Sequence, residues 1–350
     1  MNGPLRILHV VRSDAFAGVE RHVANLASGQ AAAGHRVRVV GGDVAAMRAA
    51  LDGPRVPVVR AATTAGAALA ASRASRAGHR PDVVHAHMTA AELAVTLVPS
   101  LRGVPIVATR HFARHRGSSP LARRVGAAVA GRIDAQVAIS EYVAERIDGA
   151  STVVYPGVPV RTVPTEARRP VVLVVQRLEP EKSTDVAVRA FAASGLAARG
   201  WTLQVAGDGS QRHHLETLAG ALGIWPSTRF LGNRSDCAEL MDEASVLLAP
   251  CTIDGLGLSV LEAMSGGLCV VAAAAGGHLE TAGRADGAML FTPGDAHDAS
   301  RLLVTVADAP AAAREHGLAL QAVQQSRFTL EAQVAGTLAV YREARREGRP

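Results

Sequence analysis

Asp254 and Glu262 stand out by where they fall in the chain. They lie in the stretch from Pro250 to Gly267, where a loop carrying Gly255 and Gly257 runs into an apolar helix. Asp254 precedes that helix and Glu262 falls about two turns into it. Carboxylates so placed can each accept paired hydrogen bonds from neighbouring hydroxyls, as a ribose diol is held. The amides of Gly257, Leu258 and Ser259 open the helix without intrahelical acceptors and can face a phosphate or sugar oxygen. Arg177 and Lys182 flank a short turn, Gln176 to Lys182, after another strand. A diphosphate leaving group needs cations fixed beside it; arginine supplies a fork and lysine a point charge. Gly207-Asp208-Gly209 ends a third strand and allows a tight turn into a helix. Taken singly, the basic pair also fits a solvated loop, the acidic pair a helix cap with a surface glutamate, and the glycines a common turn.

The first half carries a different set. His111 follows Pro105–Thr109 and Arg110, at the carboxyl end of a strand. His85 and His87 share one face of their strand, because side chains alternate. No third ligand of suitable spacing accompanies them, so no metal is expected. His213 and His214 are expected on an exposed helix. Arg110, Arg114, His115, Arg116, Arg123, Arg124 and Arg132 form a basic stretch. It reads either as a solvated face or as a site for an anionic acceptor or an anionic membrane surface.

These residues need a scaffold, and the sequence repeats one plan twice. Short β-branched runs alternate with longer helical stretches, which argues for parallel sheets with helices on both faces. Strands are expected at residues 5–11, 36–40, 56–59, 82–86, 105–109, 135–139 and 152–155. After an irregular stretch at 160–170 they resume at 171–175, 203–206, 228–231, 246–249, 268–272 and 288–291. Helices are expected at 19–33, 90–98 and 184–193, with a last one at 329–345. The expected fold is α/β, with two doubly wound Rossmann-like domains facing across a cleft. Its parts are 1–165, 166–328, and a helix in 329–350 packing back on the first domain. Ligands of such folds sit beyond the carboxyl ends of the strands, where the chemical residues above fall.

Composition narrows the function. Hydrophobic residues are 48% and charged residues 19% of the 350, which excludes a disordered chain. The net charge of +6 suits an anionic partner. No recognition helix or interleaving of aromatics with basic residues is present, so nucleic acid is not expected. Three unpatterned cysteines argue against a disulfide framework and for a reducing cytosol. No apolar run reaches the ~18 residues of a membrane span. The expected location is cytoplasmic, with peripheral contact at the inner face of the membrane left open. The G-x-G-x-x-G of a dinucleotide oxidoreductase is missing after the first strand, where the chain reads RSDAFAGVE.

Several of these features, in order, resemble the retaining glycosyltransferases of family 4, which have the two-domain GT-B fold. Asp254 to Glu262 resembles their E-x7-E region, and QRLEPEK their R-x4-K motif. Gly207-Asp208-Gly209 and Phe230-Leu231-Gly232 match two further landmarks. In the first half, Gly18-Val19-Glu20-Arg21-His22-Val23 resembles the glycine loop and first helix. Asp82 to His87 resembles the strand before the acceptor pocket, and Val154 to Val158 the strand leading to the linker. The chain departs from the pattern in four places. Asp254 stands for Glu, Leu256 for Phe, Ala17 for a second Gly and Pro156 for Asn.

The resemblance implies a bacterial enzyme that moves a hexose-type sugar from a UDP- or GDP-sugar to an acceptor hydroxyl with retention. The acceptor would be a lipid, a polysaccharide or a secondary metabolite. No cofactor is expected beyond the nucleotide-sugar co-substrate. Glu262 would hold the ribose and Asp254 the transferred sugar's hydroxyls. Arg177 and Lys182 would neutralise the diphosphate, Gly18 would let the first loop approach it, and His111 would contact the donor sugar. Gly209, Gly257, Leu258 and Ser259 would complete the donor site. An epimerase or phosphorylase of the same fold, or a silent donor-binding subunit, are the alternatives.

Overall fold

Each expected β-branched run forms a strand. The computed structural model describes residues 3–51, 56–76 and 80–347. In chain order the strands are β1 (Arg6–Val11), β2 (Arg36–Val40), β3 (Val58–Val59), β4 (Val83–His87), β5 (Ile106–Arg110), β6 (Ala135–Ala138) and β7 (Thr152–Val153). They continue with β8 (Arg169–Val175), β9 (Thr202–Ala206), β10 (Thr228–Gly232), β11 (Ala244–Ala249), β12 (Cys269–Ala273) and β13 (Met289–Phe291). The first seven form one sheet, ordered β3-β2-β1-β4-β5-β6-β7. The last six form another, ordered β10-β9-β8-β11-β12-β13. Pairing is parallel throughout both ladders, with β1 flanked by β2 and β4, and β8 by β9 and β11.

Parallel strands need crossovers, and the intervening helices cover both faces. Alternation in the first sheet sends Ile7, Val83 and Val107 to one core and Leu8, Val84 and Ile106 to the other. Strands β5 and β12 are buried along their whole length. The second sheet has its own core, built around Val172, Val174, Phe191, Leu203, Val246 and Val271.

The two sheets belong to two units. The first comprises residues up to Gly157 together with the segment from Leu330 onward, and the second runs from Val158 to Thr329. The division therefore falls between Gly157 and Val158, not at residue 165. Gly157 is held by the first unit, its amide donating to Gln333 Oε1 at 2.9 Å. Val158 is held by the second, its amide donating to Phe328 O at 3.1 Å. The irregular stretch after it is no free linker. Arg161 donates to Asp242 and Arg168 to the carbonyls of Ala244 and Gly266. Strand β8 also starts inside this stretch, because Arg169 pairs with Ala244 of β11. Strand β7 is shorter than expected and stops before Pro156, which has no amide hydrogen to donate.

The final helix, Leu330–Glu347, lays Val334, Leu338 and Tyr341 against Val23 and Leu26 of the helix Gly18–Ala32 in the first unit. Residues 348–350, included in the expected final segment, lie outside the described residues. Among the described residues no helix is long and apolar enough to cross a membrane.

Candidate active site

In the second unit the order of strands reverses between β8 and β11, and the expected donor residues follow those two strands. The loop after β8 is stapled by Gln176, whose amide nitrogen donates to Lys182 O at 3.0 Å and Thr184 Oγ1 at 2.8 Å. Ser183 between them takes the left-handed conformation at φ 52°. The turn after β9 presses on this loop. A Cβ on Gly209 would lie 2.5 Å from Leu178 O, so glycine is required there by the protein's own packing. Leu178 N donates to Asp208 O and Gln211 N to Leu178 O, both at 2.9 Å.

Lys182 and Asp254 are brought together, with Nζ 3.1 Å from Oδ2. Burial pushes the Lys182 ammonium down, yet Asp254 outweighs it and the net shift is upward. Burial likewise pushes the Asp254 carboxyl up, and Lys182 pulls it below its ordinary value. Both groups are therefore charged at neutral pH. Arg177, on the same loop, is half exposed and pairs with Glu181 at 3.0 Å. Gly257 is left-handed at φ 84° and opens the helix Leu258–Ser265, with no side-chain cap on its first amides. Leu258 and Ser259 are partly exposed at this start, and Glu262 is partly buried in the second turn.

Sequence reasoning missed the loop after β12. Gly277 N donates to Asp254 O at 2.9 Å. A Cβ on Gly277 would lie 2.2 Å from Leu256 Cα, and one on Gly276 would lie 2.6 Å from Asp254 O. His278 is buried and donates from Nδ1 to Ala273 O at 3.2 Å, and its ring covers Gly257. These residues hold the backbone that carries Asp254. The signal was present as Gly-Gly-His directly beyond a buried strand.

In the first unit His111 is buried after β5 and is one of five clustered imidazoles. His87 Nδ1 lies 3.2 Å from His111 Nε2, and His87 Nε2 lies 3.0 Å from His9 Nδ1. His22 stands edge-on to His111 at 4.7 Å between ring centres. The missing third imidazole beside His85 and His87 is thus present. His9, His85 and His87 lie within ligand distance of one another, as do His22, His87 and His111. Spacing along the chain could not show this, because β1 pairs with β4 in register, placing His9 opposite His85. Gly18 opens the first helix, and a Cβ there would meet nothing within 4 Å. Packing therefore does not demand this glycine.

The basic stretch divides. Arg110 and Arg116 are buried and satisfied by Glu92, Gln136 and Asp148. They belong to the interior, not to a solvated face. Arg114, His115, Arg123, Arg124 and Arg132 are exposed, as are His213 and His214.

Comparison with known proteins agrees with this architecture. The profile described as "Glycosyltransferase Family 4" matches residues 16–162, and that described as "Glycosyl transferases group 1" matches residues 161–316. A D-inositol 3-phosphate glycosyltransferase of Salinispora arenicola is 31% identical over 75% of this chain and 69% of its own. The chain belongs to glycosyltransferase family 4. A glycogen synthase of Mycobacterium tuberculosis is 29% identical over 76% of this chain and 70% of its own. Among solved structures, Anabaena HepE in complex with UDP and glucose superposes with a TM-score of 0.78 at 21% identity. That match covers 96% of this chain and 99% of the other, and it shows the fold: two Rossmann-like domains of the GT-B type. As a family-4 glycosyltransferase, the chain has its switch-point loops where its family motifs fall.

Proposed function

We propose that this glycosyltransferase moves a hexose-type sugar from a UDP- or GDP-sugar to an acceptor hydroxyl, with retention at the anomeric carbon. The Lys182–Asp254 pair carries the reading: one fixed cation and one fixed carboxylate, on adjacent strand ends, beside a helix start. Lys182 and Arg177 neutralise the diphosphate as its bond to the sugar breaks. Asp254 is held ionised and accepts from sugar hydroxyls. Glu262 takes the ribose diol, and the amides of Gly257, Leu258 and Ser259 face phosphate or sugar oxygens. His111 contacts the donor sugar. The HepE complex, with UDP and glucose bound to the same fold, supports a nucleotide-sugar donor.

Asp254 is already paired with a cation, which suits a hydrogen-bond acceptor better than a nucleophile. The reading therefore takes front-face attack. The acceptor oxygen bonds to the anomeric carbon as the carbon–oxygen bond to phosphate breaks, and the leaving phosphate takes the acceptor's proton. Screening donor hydrolysis and thermal shift across a nucleotide-sugar panel tests the donor class. The anomeric configuration of the product tests retention, and a donor altered without any acceptor would indicate an epimerase instead.

The helix Pro120–Ala130 exposes Leu121 and Val125 beside Arg123 and Arg124. Apolar side chains flanked by arginines suit an anionic membrane surface, and the reading places peripheral contact there.

A further inference from the structure

His111 ends a continuous buried chain of hydrogen bonds. Gln30 Oε1 lies 2.8 Å from His9 Nε2, and Gln30 Nε2 lies 3.2 Å from the Tyr341 hydroxyl. From His9 the chain passes through His87 to His111 by the two contacts given above. A branch runs from Tyr341 to His85 Nδ1 at 2.6 Å, and from His85 Nε2 to Thr109 Oγ1 at 2.6 Å. Burial pushes all five histidines down, His9 to about 4 and His111 to about 3, so the rings are neutral near pH 7. Each neutral ring has one donor nitrogen and one acceptor nitrogen, so fixing one tautomer fixes the next.

Gln30 sets the polarity. Its two contact lengths fit an N–H···O bond from His9 and an N–H···O bond to Tyr341. The flipped amide would need an N–H···N contact of 2.8 Å and an O–H···O contact of 3.2 Å, the reverse of the usual lengths. His9 then carries its proton on Nε2 and accepts at Nδ1 from His87 Nε2. His87 accepts at Nδ1 from His111 Nε2. The Tyr341 hydroxyl, accepting from Gln30, donates to His85, whose Nε2 donates to Thr109.

We propose that Gln30, acting through His9 and His87, is a positioning residue that holds His111 protonated on Nε2. His111 Nδ1 is then a bare lone pair that accepts from a hydroxyl of the donor sugar. None of the bonds in the chain uses His111 Nδ1; its link to His87 is through Nε2. The role toward the sugar rests on the reading of His111 given above; the tautomer does not.

The test is long-range proton–nitrogen NMR of the full chain labelled with nitrogen-15 histidine. His111 is expected to show an unprotonated Nδ1 and a protonated Nε2, with His87 and His9 in the same state. An Nδ1-protonated or evenly mixed His111 overturns the proposal. So does stoichiometric zinc or another transition metal in the purified chain, because the facing nitrogens would then be metal ligands. Gln30→Met should mix the His111 tautomers and lower kcat by roughly tenfold, one lost hydrogen bond, at little change in donor KM. Gln30→Glu keeps an acceptor toward His9 and should restore the His111 tautomer. If Gln30→Met fails to fold, the wild-type spectrum and Gln30→Glu decide the case. Unchanged tautomers in Gln30→Met overturn the relay. Mixed tautomers with unchanged kcat overturn the sugar contact and leave the relay standing.

Discussion

Lys182 and Asp254 are 72 residues apart and meet at 3.1 Å across the strand ends of one sheet. Each keeps the other charged against burial, and neither partner can be removed without stranding its neighbour. Lys182→Ala should therefore lower turnover by about tenfold to a few hundredfold, the cost of one charge-assisted contact of ~1.5–3 kcal/mol. Near-wild-type turnover in steady-state assays would remove Lys182 from the leaving-group role.

The same pair makes stability depend on pH in a defined direction. The folded Asp254 carboxyl titrates below its ordinary 3.8, so its contribution is present above that value and is lost as pH falls through the lowered one. The Lys182 shift is upward from 10.5, so its contribution holds below that value and is lost as pH rises through the raised one. Urea unfolding of wild type and Asp254→Asn should show a gap that is constant near neutrality and closes in strong acid. A gap independent of pH would contradict the pairing.

Asp254 and Glu262 should separate kinetically. Asp254→Glu is expected to change kcat/KM between donor sugars while leaving affinity for the free nucleoside diphosphate within about twofold. Glu262→Gln should weaken the nucleotide for every sugar tested, by roughly tenfold for one charged hydrogen bond. Calorimetry with UDP and GDP beside donor kinetics checks both.

Two glycines should behave in opposite ways. Gly277→Ala forces a Cβ to within 2.2 Å of Leu256 Cα, so it should lower Tm and activity together. Gly18→Ala has open space and should leave Tm unchanged while raising donor KM. A fall in Tm for Gly18→Ala would assign that glycine to packing.

Charge reversal should sort the arginines. Arg123→Glu with Arg124→Glu should leave Tm unchanged and abolish co-sedimentation with anionic vesicles. Arg116→Met should cost about 3–5 kcal/mol of stability by stranding Glu92 in the interior, while Asp148 keeps Arg110. Vesicle binding that survives both the double reversal and high salt would end the membrane reading.

Period and turn chemistry were enough to place the strands and the loops after β8, β9 and β11. They could not place His9 beside His87, or Gln30 beside Tyr341, because those meetings depend on strand register and on helix packing over long separations. Arg110 and Arg116 were misplaced for a related reason: arginines look solvated until the carboxylates that face them are known. The division at Gly157 was hidden because the prolines and charges that follow resemble a linker, while their hydrogen bonds tie them to the second unit. His278 lay in plain sequence, but its purpose depends on Gly276 and Gly277 touching the loop that carries Asp254.

Tyr341 is bound to His85 and, through Gln30, to His9, while Gln333 reaches His22 and Gly157. Val334 and Leu338 complete the same apolar core. On the ribosome, the first unit must therefore wait. Its buried polar interior stays unfinished until the whole of the second unit has been translated and the helix carrying Tyr341 has emerged, so maturation of the histidine cluster waits on a segment made only after another unit's worth of chain.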